Sequence, residues 1–294
     1  MACAVKPNPS LKRGAPTARH PSVGARLART LSRMGHPVRS FQPMSLVIAR
    51  PTMHTTTKLL SLATLVLACA SPASAADPSP EAMFKRLTAL TESGNADVKY
   101  NLGMFLNNGI GTQRDNKAAF RYFSEAAEAG NVLASYKVGC YYAGQFTDVV
   151  PSDEQTALKF KLPAAEAGYD LAQHDVAMHF GKKGDVSNAL TWWEKASRQA
   201  YMPSTAYLAN YLSRSGSKDK AKGFALMLIL KEQMPNTPKE LSDRLAAARA
   251  ELSNDEQKEA ANIRASWLTG PTPLTTTARA GISAVPALLS SIDR

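Results

Sequence analysis

Four windows of the chain superimpose without a gap: GNADVKYNLG from Gly94, GNVLASYKVG from Gly130, GYDLAQHDVA from Gly168 and AYMPSTAYLA from Ala200. Their starts lie 36, 38 and 32 residues apart. A period of this size means one supersecondary unit copied along the chain, each copy unable to bury its apolar face alone and so stacked on the next. Eight residues into each window stands an aliphatic residue (Leu102, Val138, Val176, Leu208), followed by a small one (Gly103, Gly139, Ala177, Ala209).

Spacing inside the unit is helical. Val98/Leu102/Leu106, Ala134/Val138/Tyr142, Ala172/Val176/Phe180 and Ser204/Leu208/Leu212 each fall at i, i+4 and i+8, the stripe that one helix face buries. The neighbouring Gly or Ala lets another helix approach closely. A second helix follows in each copy, with a seam read as small, aromatic, small: Ala119/Tyr122/Ala126, Ala157/Phe160/Ala164, Ala189/Trp192/Ala196, and Ala221/Phe224/Leu228 in the last. Differences in period fall between the two helices, in one surface loop. Asp115, Ser152, Asp185 and Ser217 stand where N-caps are needed, and Ser152 with Gln155 forms a capping box. The expected fold is all-α, an α/α solenoid of about four helix hairpins with helical caps.

The caps are legible too. Ser79-Pro80-Glu81 opens a helix running to about Glu92, Thr237-Pro238-Lys239-Glu240 starts another, and Ser253 with Glu256 starts a last one ending near Trp267. The solenoid is therefore expected over residues 76–267. Residues 268–294, rich in Thr, Ala and Ser, carry too little patterned hydrophobicity to fold alone and are expected to be a disordered tail.

The net charge of +11 would suggest a nucleic acid or an anionic membrane as partner, but its distribution removes that argument. Residues 1–75 hold ten Lys and Arg and no acid; the remaining 25 bases face all 24 acids. Within the first 75 residues, LLSLATLVLACA at 59–70 is too short to span a bilayer and is followed by Ala73-Ser74-Ala75, which suits signal peptidase. Residues 53–75 are read as a signal peptide from Met53, cleaved after Ala75, giving a periplasmic or secreted protein. The competing reading takes Val66-Leu67-Ala68-Cys69 as a lipobox, so that membrane attachment arises only if Cys69 is lipidated. Residues 1–52 are read as an upstream extension or disordered segment, with an organellar transit peptide as the other account. Of Cys3, Cys69 and Cys140 only Cys140 follows the leader, so packing rather than a disulfide is expected to stabilise the fold. Cys140 is read as a small buried hydrophobe.

The stretch YNLGMFLNNGIGTQRDNKAAFRYFSEAAEAGN, Tyr100 to Asn131, resembles the Sel-one-like repeat, itself related to the tetratricopeptide repeat. The resemblance lies in Leu102-Gly103, the Gly109-Ile110-Gly111 loop with Asp115, then Tyr122, Ala126-Ala127 and Gly130. Later copies are degenerate: the second keeps Val138-Gly139 and Glu166-Ala167-Gly168, and the last two have short loops. The resemblance spans about residues 80–267. It implies an α/α solenoid, a role as adaptor or assembly factor, often in the bacterial envelope, and no catalytic motif.

A solenoid ordinarily grips a peptide or partner domain on an extended face. The expected function is thus a non-enzymatic protein-interaction scaffold, exported to the envelope, that takes no cofactor and binds a protein or peptide through its first helices. Two registers supply the candidate face. One holds Asn101, Lys137, Asp175 and Tyr207, expected to face solvent; the other holds Phe105, Tyr141, His179 and Tyr211, a ring column that either fills the core or stacks on a ligand.

Other chemistry finds little support. His174 and His179, five residues apart, stand about 140° apart on a helix and cannot share a metal unaided; His174 replaces Tyr100 and Tyr136 of earlier copies and is expected to pack. Ser215-Gly216-Ser217-Lys218 has the S-x-x-K spacing of penicillin-recognising hydrolases without their companion motifs. An envelope hydrolase working through Ser215 is the alternative from the enzyme class. A module binding cell-wall glycan through Tyr141, Tyr211 and Trp193 is the third reading, with Trp192 assigned to the core and Trp193 to the surface. Lys218, Lys220 and Lys222 are read as a solvated helix start, not a phosphate track.

Overall fold

The structure, a computed structural model, describes residues 78–214 and 218–294, and among them only helices and connecting turns occur. Helix α1, Pro80–Ala89, is capped by the Ser79 hydroxyl and followed by a 3-10 turn at Thr91–Ser93. Four antiparallel hairpins follow: α2 Ala96–Asn108 with α3 Asn116–Glu128, α4 Val132–Cys140 with α5 Glu154–Glu166, α6 Asp170–Lys183 with α7 Val186–Arg198, and α8 Met202–Leu212 with α9 Lys220–Gln233. Each helix packs on its neighbours in sequence, and α9 also packs on α10, Lys239–Ala250, and α11, Asn254–Ser266. This is an all-α solenoid of four hairpins with helices at both ends.

The buried stripe on the first helices follows the sequence pattern: Leu102, Val138, Val176 and Leu208 are buried, with Gly103, Gly139, Ala177 and Ala209 beside them. The second-helix seam differs by one residue in the first three hairpins, whereas in the fourth Phe224 is buried as expected. Phe123 and Trp193 are buried where Tyr122 and Trp192 were expected, and Lys161 occupies the equivalent place in the second hairpin. Holes left by glycine set this register. A Cβ on Gly103 would stand 2.7 Å from the Phe123 ring, and one on Gly139 would stand 2.6 Å from Cγ of Lys161. The glycine thus receives the middle side chain of the second helix, one residue later than the aromatic position suggested.

Hairpins are joined by one repeated turn. Gly130 (φ 90°), Gly168 (φ 96°) and Ala200 (φ 63°) adopt the left-handed conformation just past the second helix. Their amides donate to Ala127, Ala165 and Ser197, while the next residue donates to Ala126, Ala164 and Ala196. This bond pair is a Schellman closure, which satisfies carbonyls that the helix end leaves open.

Caps agree at Asp115, Asp185 and the Ser253–Glu256 box. Three starts are displaced: α9 begins at Lys220 with Asp219 rather than Ser217 at the cap position. Asp153, not Ser152, caps α5 by accepting from Gln155 and Thr156 amides, and α10 starts after Pro238 without the expected Thr237 cap. The Asp153 carboxylate also accepts from the Thr156 hydroxyl at 2.6 Å and sets a negative charge at the positive end of the helix, which favours the later start.

Residues 268–294 are not a disordered tail. They form α12, Pro273–Ala280, a 3-10 turn at Gly281–Ala284 and α13, Val285–Ile292. Val285 and Leu289 join the apolar cluster of Met83, Leu87, Leu102 and Phe123 at the other end of the array. The segment has too few apolar residues to fold alone, and it folds by using a surface that the repeats have already built.

The segments read as an upstream extension (1–52) and a signal peptide (53–75), with Cys69, Ser215 and Ser217, lie outside the described residues. Cys140 is fully buried beside Gly139, as expected. No described helix is long and apolar enough to cross a membrane.

Candidate functional site

A cleft of about 380 Å³ opens between α5 and α6, with Ala143 also in its lining. Its apolar wall consists of Ala157, Leu158, Val176 and Met178. At its floor the Lys161 ammonium meets Asp175 Oδ2 at 2.6 Å, and the Tyr136 hydroxyl donates to the same oxygen at 3.1 Å. Burial, then the Asp175 charge, pushes the Tyr136 phenol well above its ordinary value. Lys161 reaches this place because Gly139 leaves its stem room to pass. His174, Glu154, His179 and Lys182 complete the lining.

The two histidines behave differently. His174 Nδ1 lies 2.9 Å from the Ser204 hydroxyl, and its ring packs near Tyr201 and Tyr207. Burial pulls its pKa down to about 4, against the opposing pull of Asp175. It is a packed, neutral side chain, as its alignment with Tyr100 and Tyr136 predicts. His179 stands at the rim, its pKa also lowered chiefly by desolvation. Glu154 at the same rim pairs with exposed Lys182 (3.6 Å) and Lys183 (3.4 Å), contacts of little strength in water.

Of Asn101, Lys137, Tyr141, Asp175, His179, Tyr207 and Tyr211, the candidates for the partner face, the cleft unites Asp175 and His179. Asn101, half-buried on α2, returns its amide to the Asp97 carbonyl at 2.8 Å. Lys137 is half-buried on α4; burial lowers its ammonium to about 8, and no carboxylate among the described residues pairs with it. Tyr207 stacks on Trp193 with planes 6° apart, and Tyr211 lies under the Arg214 guanidinium. Both rings are half-buried.

Tyr141 does not belong to the face. It is fully buried, its hydroxyl donates to Asn107 Oδ1 at 2.8 Å, and Phe120 and Phe146 pack against its ring. Phe105 is buried likewise, so the ring column is core in its first two members and half-buried in His179 and Tyr211. Trp193 is also buried rather than exposed, which removes two of the three rings of the glycan reading. The basic cluster at α9 is partly neutralised within the chain, Lys220 by Glu256 and Lys222 by Glu194. No group of three or more His, Cys, Asp or Glu side chains that could hold a metal occurs among the described residues.

Lys161, Glu154 and Lys182 do not stand out in the sequence as site residues. Lys161 left a signal: read at i+4 from Ala157 and i−3 from Ala164, a lysine interrupts the apolar seam, and a buried lysine requires a partner. Glu154 and Lys182 left none, being surface charges until the helices are packed.

The fold defines an α/α solenoid with a cleft between the second helix of one hairpin, α5, and the first helix of the next, α6. The family model of the Sel1 repeat matches residues 96–131, 132–169 and 170–201, so these residues form three Sel1 repeats. The matched units begin at α2, α4 and α6.

Solved structures are similar as well. A Sel1 repeat protein from Oxalobacter formigenes is 20% identical with a TM-score of 0.49, over 64% of this chain and 79% of that one. A protective antigen present in uropathogenic Escherichia coli strains, displaying an SLR fold, is 14% identical with a TM-score of 0.41, over 66% of this chain and 50% of that one. No curated protein matches the chain.

Proposed function

We propose that this chain is an exported, non-enzymatic scaffold of the bacterial envelope that grips a protein or peptide partner on the first-helix side of its repeats. The cleft that the first helix α6 forms with the preceding second helix α5 carries the proposal. It offers apolar wall, a fixed carboxylate–ammonium pair and a charged rim within one concavity, the combination that orients a peptide side chain while burying its stem. Lys137, on the adjacent first helix, is a second anchor, because a carboxylate from the partner would offset the desolvation that burial imposes on its ammonium. Export is inferred from the apolar run at 59–70 and the small residues that follow it.

The test is in-cell crosslinking of the tagged protein in an envelope fraction, with mass spectrometry of the captured partner and of the bait N-terminus. Capture of one protein, weakened at least tenfold in Lys137→Met or Lys182→Glu with helicity unchanged, and a bait beginning at Ala76, is the expected result. Capture indifferent to both substitutions removes the partner face. A lipidated bait beginning at Cys69 replaces free export by membrane anchoring.

A further inference from the structure

The contacts that hold residues 268–294 are those of a bound peptide rather than of another repeat. The Thr269 amide donates to the Arg198 carbonyl at 2.8 Å, and the Thr272 amide donates to Gln199 Oε1 at 2.9 Å. The Thr272 hydroxyl donates to the Gly168 carbonyl at 3.0 Å, while Thr275 Oγ1 accepts from the Asp170 amide at 3.1 Å and donates to Gln199 Oε1 at 2.8 Å. Arg279 pairs with Asp170. These partners come from two successive inter-hairpin turns, so the segment runs along one edge of the array until Val285 and Leu289 enter the cluster of Met83 and Leu87.

Part of the edge is organised by bonds that do not involve its occupant. With the segment in place Gln199, Gln173 and Asp170 are all more than nine-tenths buried. Gln199 Nε2 donates to the Gly168 carbonyl and to Gln173 Oε1, and Gln173 donates in turn to the Ala165 carbonyl. Asp170 Oδ1 accepts from the Leu171 amide at the start of α6, where a helix end stabilises a carboxylate. None of these bonds needs the segment. Gly168 matters for contact as well as for the turn, since a Cβ there would stand 2.8 Å from Thr272 Cγ2. The segment itself is held lightly: only Thr275, Val285 and Leu289 of it are buried, while Leu268 and Ile282 are exposed. A few anchors over more than twenty ordered residues describe a region that opens locally before the repeats unfold.

We propose that this edge is a peptide-binding site that reads a helix opening Thr-Pro-x-Thr, with an arginine seven residues after the first threonine and two aliphatic residues beyond. The chain's own final segment is its resident occupant and competes with a partner carrying that pattern. The site lies apart from the cleft between α5 and α6 and stands whether or not that cleft binds a protein.

The test places a site-specific protease sequence at Gly270, where no neighbouring atom lies within 4 Å of a built Cβ, and cleaves the folded full-length chain. A fluorescent synthetic peptide of residues 271–294 is then added. Exchange of the peptide for the resident fragment, weakened at least tenfold by Asp170→Asn or Gln199→Ala and absent for a scrambled peptide, is expected. A fragment that never exchanges from a protein of unchanged helicity, binding indifferent to both substitutions, or an uncut chain that dimerises by trading segments, would overturn the proposal. If cleavage unfolds the protein, hydrogen exchange on the uncut chain decides. Amides of 273–289 exchanging a hundredfold faster than those of α2 and α6 support it, and equal protection refutes it.

Discussion

At the scale of single residues, the inter-hairpin turn shows what a backbone position demands and what the sequence supplies. Gly130 and Gly168 meet the left-handed requirement freely, whereas Ala200 meets it with a methyl group that crowds its own carbonyl. Ala200→Gly is expected to raise unfolding free energy by about 1 kcal/mol, read by denaturant titration. Tyr141→Phe is expected to cost about 1 kcal/mol or slightly more, since Asn107 loses the hydroxyl that its buried Oδ1 accepts. His174 makes a pH prediction whose sign is fixed by its depressed pKa. The unfolded chain takes up the proton near 6.5 and the folded chain only near 4, so stability is full above 6.5 and falls as pH drops towards 4. The loss approaches at most about 3 kcal/mol, because each tenfold difference in proton affinity between the folded and unfolded chain is worth about 1.4 kcal/mol. Melting curves of His174→Asn should show a shallower decline across that window. That His174 packs was visible from its alignment with two tyrosines. That Tyr141 packs was not, because a ring column along first helices suits a core and a groove equally well.

Helix pairs obey a rule that the sequence shows only in half. The Leu-Gly and Val-Gly steps of the first helices are explicit, but which side chain of the second helix fills the gap is not, because positions i+3 and i+4 lie on the same helix face. The structure selects i+4, placing Phe123 against Gly103 and Lys161 against Gly139. Gly103→Ala is expected to destabilise by about 1–3 kcal/mol through the clash with Phe123. In a double-mutant cycle, Phe123→Leu should recover part of that loss, and strict additivity would show that the two residues do not share the space. The fourth hairpin inverts the arrangement: Gly223 on the second helix lies close to the Leu212–Ser213 backbone, with a built Cβ 2.6 Å from the Ser213 nitrogen. The family model stops before this hairpin, at residue 201.

For the whole molecule, the returning segment changes what kind of solenoid this is. Repeat arrays are held by nearest-neighbour contacts, but here Asp170 is tied to Arg279 and Arg86 to Asp293, across most of the array. Leu289→Ala is therefore expected to lower hydrogen-exchange protection in α1 and α2 by about 2 kcal/mol of opening free energy while leaving α8 and α9 unchanged. Protection lost only in α13 would show that the segment lies on the repeats without supporting them. The sequence by itself determined the helical unit, its period, its buried first-helix stripe and most of its caps, because these depend on neighbours three, four or thirty-odd residues away that recur in fixed phase. Only the tertiary structure decided the seam register of the second helices, the burial of Tyr141 and Trp193, the Lys161–Asp175 pair in the cleft and the fate of residues 268–294. Each of those is settled by a surface assembled from distant parts of the chain, and a sparse segment such as 268–294 has no periodicity of its own to announce that such a surface awaits it.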